Sequence, residues 1–204
     1  MRLKLSSIHL EPGYRELMTN CFEELNELSN GLINAEFPTP FATLFVSSPN
    51  EVTPYHIDSE LNYLTHIYGT KTVYLFDGTD STLIDTEKIE RYWGGGGIQL
   101  PEEFTSKGVP FELKPGTGVQ HPVHFPHWVQ NGPTPSVSVS ISFLMRHEPS
   151  EVLRVNYYLR RIGLSPRPPG QIELVDNLKR SVARGIRFAK NTLKGMKPPK
   201  VKIR

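Results

Sequence analysis

Apolar and polar residues in this chain alternate in short runs, and most runs end in a cluster of Gly, Pro, Ser or Asn. The clearest alternation is Ser136–Phe143, where Val137, Val139, Ile141 and Phe143 share one face and Ser138, Ser140 and Ser142 the other. This pattern predicts a strand, either of a barrel, with its apolar side against a second sheet and its small polar side chains lining a cavity, or half-exposed in a sandwich. Similar runs predict strands near residues 41–47, 52–57, 61–67, 72–76, 109–114, 118–124 and 127–131, with the last strand extending over 136–145. Helical spacing shows in only a few places. In residues 12–29, Pro12 suits a first turn, and Tyr14, Leu17, Met18, Cys21, Leu25 and Leu28 recur at steps of three and four, with Gly31 as the stop. Thr86 to Trp93 predicts a short helix followed by four glycines, Gly94–Gly97. Such a segment suits a lid hinge, with Tyr92 and Trp93 supplying contact area. From 148 the chain turns helical, with Val152, Leu153, Val155, Tyr158, Leu159 and Ile162 as the apolar set. A stiff Pro-rich connector, 163–170, leads into a second helix that carries Leu174, Val175, Leu178, Val182, Ile186, Ala189 and Leu193.

Composition narrows the class. The chain has 204 residues, of which 37% are apolar and 22% charged, enough for one domain with a real core. Its 16 Gly and 18 Pro favour short strands and turns over a helix bundle. The lone cysteine, Cys21, excludes a disulfide framework and falls on a helical apolar stripe, so it reads as core. No apolar run reaches membrane-spanning length and the N-terminus lacks the apolar core of a leader, so the expectation is a soluble, cytoplasmic protein. Charge is uneven. From Lys179 onward there are ten Lys and Arg and no acid, against 13 basic and 21 acidic residues before it. The basic helix has three readings: docked with its charges in water, drawn to an anionic surface such as membrane or nucleic acid, or paired with a second subunit. No nucleic-acid-reading motif accompanies the charge, so sequence-specific recognition is not expected.

The candidate chemistry lies in two stretches. In Thr53–Phe76, His56 and Asp58 are two residues apart, so an extended backbone sends both side chains from one face. Together they make two thirds of the 2-His-1-carboxylate triad that holds non-haem Fe(II) and leaves coordination positions open. In Gly116–Gly132, three histidines compete to be the distal ligand. Alternation puts His121 and His127 on one face and His124 on the other, and residue chemistry alone does not choose among them.

Together the two stretches resemble the JmjC-type and cupin-like Fe(II)/2-oxoglutarate oxygenases, a family that includes the asparaginyl hydroxylase acting on hypoxia-inducible factor. The family pattern is H-x-D with an Asn four residues after the Asp, a Gly-x-Lys turn, and a later G-D-x-x-x-x-P-x-x-x-W-H segment. This chain has His56, Asp58, Asn62, Gly69 and Lys71, then Gly116, Pro122 and His127 at matching intervals over roughly residues 41–145. Thr117 stands where many relatives carry Asp, at a position that forms a turn and is not a ligand. The resemblance implies a mainly β fold, a double-stranded β-helix with an N-terminal helix and C-terminal helices. It divides the chain into a barrel domain, 1–147, and a basic helical extension, 148–204. It makes His56, Asp58 and His127 the iron ligands and assigns the remote carboxylate of the cosubstrate 2-oxoglutarate to Lys71. Thr53 and Asn62 fall where the family hydrogen-bonds the cosubstrate, although either residue can instead satisfy local backbone. His121 and His124 fall where it carries apolar or aromatic residues, and His66 is left as a cavity-lining or core histidine. Some JmjC-type hydroxylases pair through C-terminal helices, which implies a possible homodimer. The expected activity is hydroxylation of an unidentified substrate (small molecule, saccharide or protein side chain), and the rival is a cupin-like binder or regulator without turnover.

Overall fold

The computed structural model describes residues 2–147 and 149–195, with backbone alone for Thr39 and for residues 188–195. The end of the basic tail, 196–204, lies outside them. Fourteen elements are named here in chain order: β1 (Arg2–Ser6), α1 (Pro12–Leu28), α2 (Leu32–Glu36), β2 (Thr39–Ser47), β3 (Val52–His56), β4 (Leu61–Tyr68), β5 (Lys71–Leu75), α3 (Thr86–Trp93), β6 (Val109–Leu113), β7 (Gly118–His121), β8 (His127–Asn131), β9 (Ser136–Leu144), α4 (Ser150–Arg161) and α5 (Glu173–Gly195). They form two compact units. One runs to Asp85 and resumes at Gly97 through the last strand; the other joins Thr86–Gly96 to the chain beyond Pro149.

The first unit is a double-stranded β-helix. A five-stranded sheet in the order β1-β2-β9-β4-β7 faces a four-stranded sheet in the order β3-β8-β5-β6, with every pairing antiparallel. Leu64 and Val119 of the first sheet meet Val73, Leu113 and Val129 of the second, and this contact fills one end of the space between the sheets. The opposite face of the five-stranded sheet is covered by helix. Met18 of α1 and Ile33 of α2 pack on Ala42, Leu61, Ile141 and Phe143, with Cys21 half-buried at the margin. Burying a side chain such as Phe143 contributes roughly 1.5–3 kcal/mol. The apolar side of β9 is therefore covered by helices and not by a second sheet as its alternation predicts. Its serines face the barrel interior, and Ser136, Ser138, Ser140 and Ser142 are all buried. A sheet in a barrel has two buried faces, so polarity along a strand does not tell which face is inner.

The structure departs from the sequence pattern most at one strand end and at two further elements. The strand predicted over 118–124 stops at His121, because Pro122 lacks a ladder donor and His124 takes a left-handed backbone, φ 63°. β1 was not predicted, nor was α2. Between β4 and β5, Gly69 has φ 81°, and a side chain there would run into the Pro135 carbonyl. That turn sets where Lys71 begins its strand.

In the second unit, α3 packs on α4, and α4 on α5. Glu90 of α3 is fully buried. It is paired with Arg160 and accepts a hydrogen bond from Asn156 Nδ2 at 2.9 Å, both from α4. The glycine run proves to be a helix end. The Gly94 N–H bonds to the Glu90 carbonyl, Gly95 takes φ 92°, and a side chain at Gly94 would collide with the Tyr157 ring. On α5, Asp176 and Lys179 are buried and bond to the Gly170 N–H and the Arg167 carbonyl, while Leu174, Leu178, Val182 and Ile186 are exposed. Among the described residues no helix is long and apolar enough to cross a membrane.

Candidate metal centre

His56 and His127 are register partners across the β3–β8 pair, so their side chains leave adjacent strands on one face. Asp58 lies two residues past His56, just beyond the end of β3. One ligand atom from each of the three lies within 4.8 Å of the others. The imidazoles are pre-set for this task. His56 Nδ1 is 2.7 Å from the Pro54 carbonyl and His127 Nδ1 is 3.1 Å from the Phe125 carbonyl. A carbonyl accepts only from N–H, so each ring has a proton on Nδ1 and turns Nε2 towards Asp58. Those Nε2 atoms sit 3.9 Å and 3.6 Å from the two oxygens of Asp58. Burial, then the charge of His56, lowers the His127 pKa to about 4 against the pull of Asp58, so that ring is neutral at physiological pH. Imidazole nitrogen beside carboxylate is the donor set a divalent transition metal takes, and the backbone carbonyl behind each ring holds it in place.

These side chains open on one cavity of about 430 Å³. Its polar wall continues from Asp58 through Asn62, whose Nδ2 is 3.5 Å from Asp58 Oδ2 and whose Oδ1 accepts from Ser140 Oγ at 2.7 Å. Ser140 in turn lies 3.1 Å from Ser142. Asn62 is thus engaged by protein groups on both sides of its amide. Lys71 enters the same cavity from β5 and is only 6% exposed. Burial first, then the charge of Arg2, lowers its pKa from 10.5 to about 8. Among the described residues its ammonium has no acidic partner, which is unusual for a buried cation. Thr53 also lines the cavity, and its Oγ1 accepts from Arg2 Nη1 at 2.6 Å. Tyr55 adds a buried hydroxyl without a hydrogen-bond partner, its pKa pushed up to about 12 by burial.

The three competing histidines have different positions. His127 joins the cluster. His124 lies in the turn, where its N–H donates to the Asp58 carbonyl at 3.0 Å and ties the β7–β8 connection to the acid. His121, on β7, stacks on His127 with centroids 4.2 Å apart and planes at 15°. Both of its ring nitrogens are buried without a partner, and burial, then His127 and His56, lower its pKa to about 3. His121→Leu is expected to raise the stability of the metal-free protein by roughly 1–2 kcal/mol, since it removes two unsatisfied polar atoms from the interior. A lower melting temperature in that variant would mean that the imidazole is bonded after all. His66 is a core histidine outside the cavity, with Nδ1 2.9 Å from Ser138 Oγ. Thr117 forms the expected turn, its hydroxyl accepting from the Lys114 N–H and donating to the Lys114 carbonyl.

No protein-family model matches the chain, and no curated protein matches it. Solved structures do resemble it. The Escherichia coli protein ycfD aligns over 92% of this chain and 48% of its own at 13% identity, with a TM-score of 0.51. A second structure, of the Escherichia coli ribosomal oxygenase YcfD, gives 13% identity over 92% and 46% with a TM-score of 0.49. A cupin superfamily protein of Desulfitobacterium hafniense aligns over 52% of this chain and 67% of its own at 11% identity, TM-score 0.34. The chain spans about half the length of the Escherichia coli protein, and that likeness shows the fold alone.

Proposed function

We propose that this chain is an Fe(II)- and 2-oxoglutarate-dependent oxygenase that hydroxylates its substrate. One observation carries the reading: a His-Asp-His cluster and an acid-free buried lysine open on the same cavity. His56, Asp58 and His127 would hold the metal as three ligands, leaving the other positions for cosubstrate and oxygen. Lys71 would pair with the carboxylate of 2-oxoglutarate remote from its keto acid. The metal, when bound, supplies the oxygen-activating chemistry, with 2-oxoglutarate decarboxylated to succinate. The protein does the rest by placement. The Pro54 and Phe125 carbonyls orient the imidazoles, and Asn62 braces Asp58.

The test is release of succinate from 2-oxoglutarate with ferrous iron present and absent, in wild type and in Asp58→Ala. Iron-dependent succinate that disappears in the variant is expected. Metal binding without succinate, across candidate small molecules, saccharides and peptides, would favour a barrel that binds without turnover. Metabolite profiles of cells with and without the active protein would then point to the substrate.

A further inference from the structure

β1 brings cations to the cavity. Arg2 pairs with Ser47 and Lys4 with Phe45 across β2, so both share the face that lines the cavity, while Leu3 and Leu5 point away. Arg2 reaches Thr53 at 2.6 Å, and its charge is felt at Lys71. Among the described residues neither Arg2 nor Lys71 forms an ion pair. The acids lining the cavity are engaged elsewhere, Asp58 with the imidazoles and Asn62, Glu60 with Ser59. Arg2 is exposed at the cavity's edge and Lys71 is buried within it, so an anion bound beside both would be attracted by both and would favour the charged form of Lys71. The guanidinium has further N–H donors beyond the one given to Thr53, in a fork that matches a carboxylate.

We propose that Arg2, held by the Thr53 hydroxyl, joins Lys71 in clamping one carboxylate of a dicarboxylic acid in the cavity. The inference rests on the oxygenase reading above, in which that acid is 2-oxoglutarate, and adds Arg2 as the residue that selects a diacid over a monoacid. Lys71 supplies a point charge from the barrel interior, and Arg2 supplies directional hydrogen bonds from an edge strand.

The experiment is calorimetric titration of the full chain, loaded with Fe(II) without oxygen, using 2-oxoglutarate and pyruvate, the latter a 2-oxo acid without a second carboxylate. Wild type is expected to prefer 2-oxoglutarate. Arg2→Gln should weaken 2-oxoglutarate about tenfold or more while leaving pyruvate within about twofold, and Arg2→Lys should recover part of the loss. Arg2→Gln with wild-type affinity for 2-oxoglutarate overturns the clamp and leaves the oxygenase reading standing. An equal loss for both acids, or a wild type with no preference between them, overturns it as well. Wild type that binds neither acid removes the oxygenase reading and the clamp together.

Discussion

Asp58→Ala is expected to lower metal affinity by more than about 100-fold, beyond the 10–100-fold that loss of a mere supporting contact costs. The carboxylate is the only anionic member of the cluster and stands between the two Nε2 atoms, at 3.9 Å and 3.6 Å. Without it, two imidazoles remain, one of them on the half-exposed His56, and neither offers a negative charge to a divalent ion. Folding should be little affected, because removing the acid strands no buried cation: His127 is already held neutral by burial. Metal content after dialysis, read beside a melting curve, separates the two effects. An unchanged metal content would remove the centre proposed here.

Lys71→Met is expected to give a more stable protein that no longer binds 2-oxoglutarate. The folded pKa, about 8, lies below the ordinary 10.5, so the fold disfavours the charged ammonium. For a depressed base, that penalty is fully present below about pH 8 and is relieved as pH rises from 8 towards 10.5, where the unfolded chain holds more protons than the folded one. Wild-type stability should therefore rise across that window. Methionine should abolish the rise and add about 3 kcal/mol at neutral pH, at 1.36 kcal/mol for each pH unit of displacement. A bound carboxylate favours the protonated lysine, so affinity for 2-oxoglutarate should fall as pH climbs through about 8. Denaturation curves and titrations between pH 7 and 10 check both. A Lys71→Met protein less stable than wild type would mean that the ammonium already has a partner in the fold.

Much of this was legible in the chain because period-two alternation survives in a barrel. The strands at 52–56, 61–68, 127–131 and 136–144 follow the residue pattern closely. His56 and Asp58 were readable because two residues on one strand share a face whatever the tertiary fold. The distal ligand was not readable from chemistry. Alternation puts His121 and His127 on one face, and only the β3–β8 register, which joins residues seventy-one positions apart, brings His127 opposite His56. The Arg2-Leu3-Lys4-Leu5 alternation was a usable strand signal, but it is short, and its charged side borders the cavity although all five residues of β1 are exposed. That hid a cavity wall. The partners of Thr53 and the covering of β9 by helices were likewise beyond the pattern, since both depend on contacts remote along the chain.

The buried Glu90 carries a consequence for how the molecule is made. Its amide partner, Asn156, follows sixty-six residues later, and Arg160 seventy. While a ribosome is still adding the later strands, this carboxylate has only water to solvate it, and α3 has no reason to leave solvent. Closure of the helical unit thus waits for the arrival of α4.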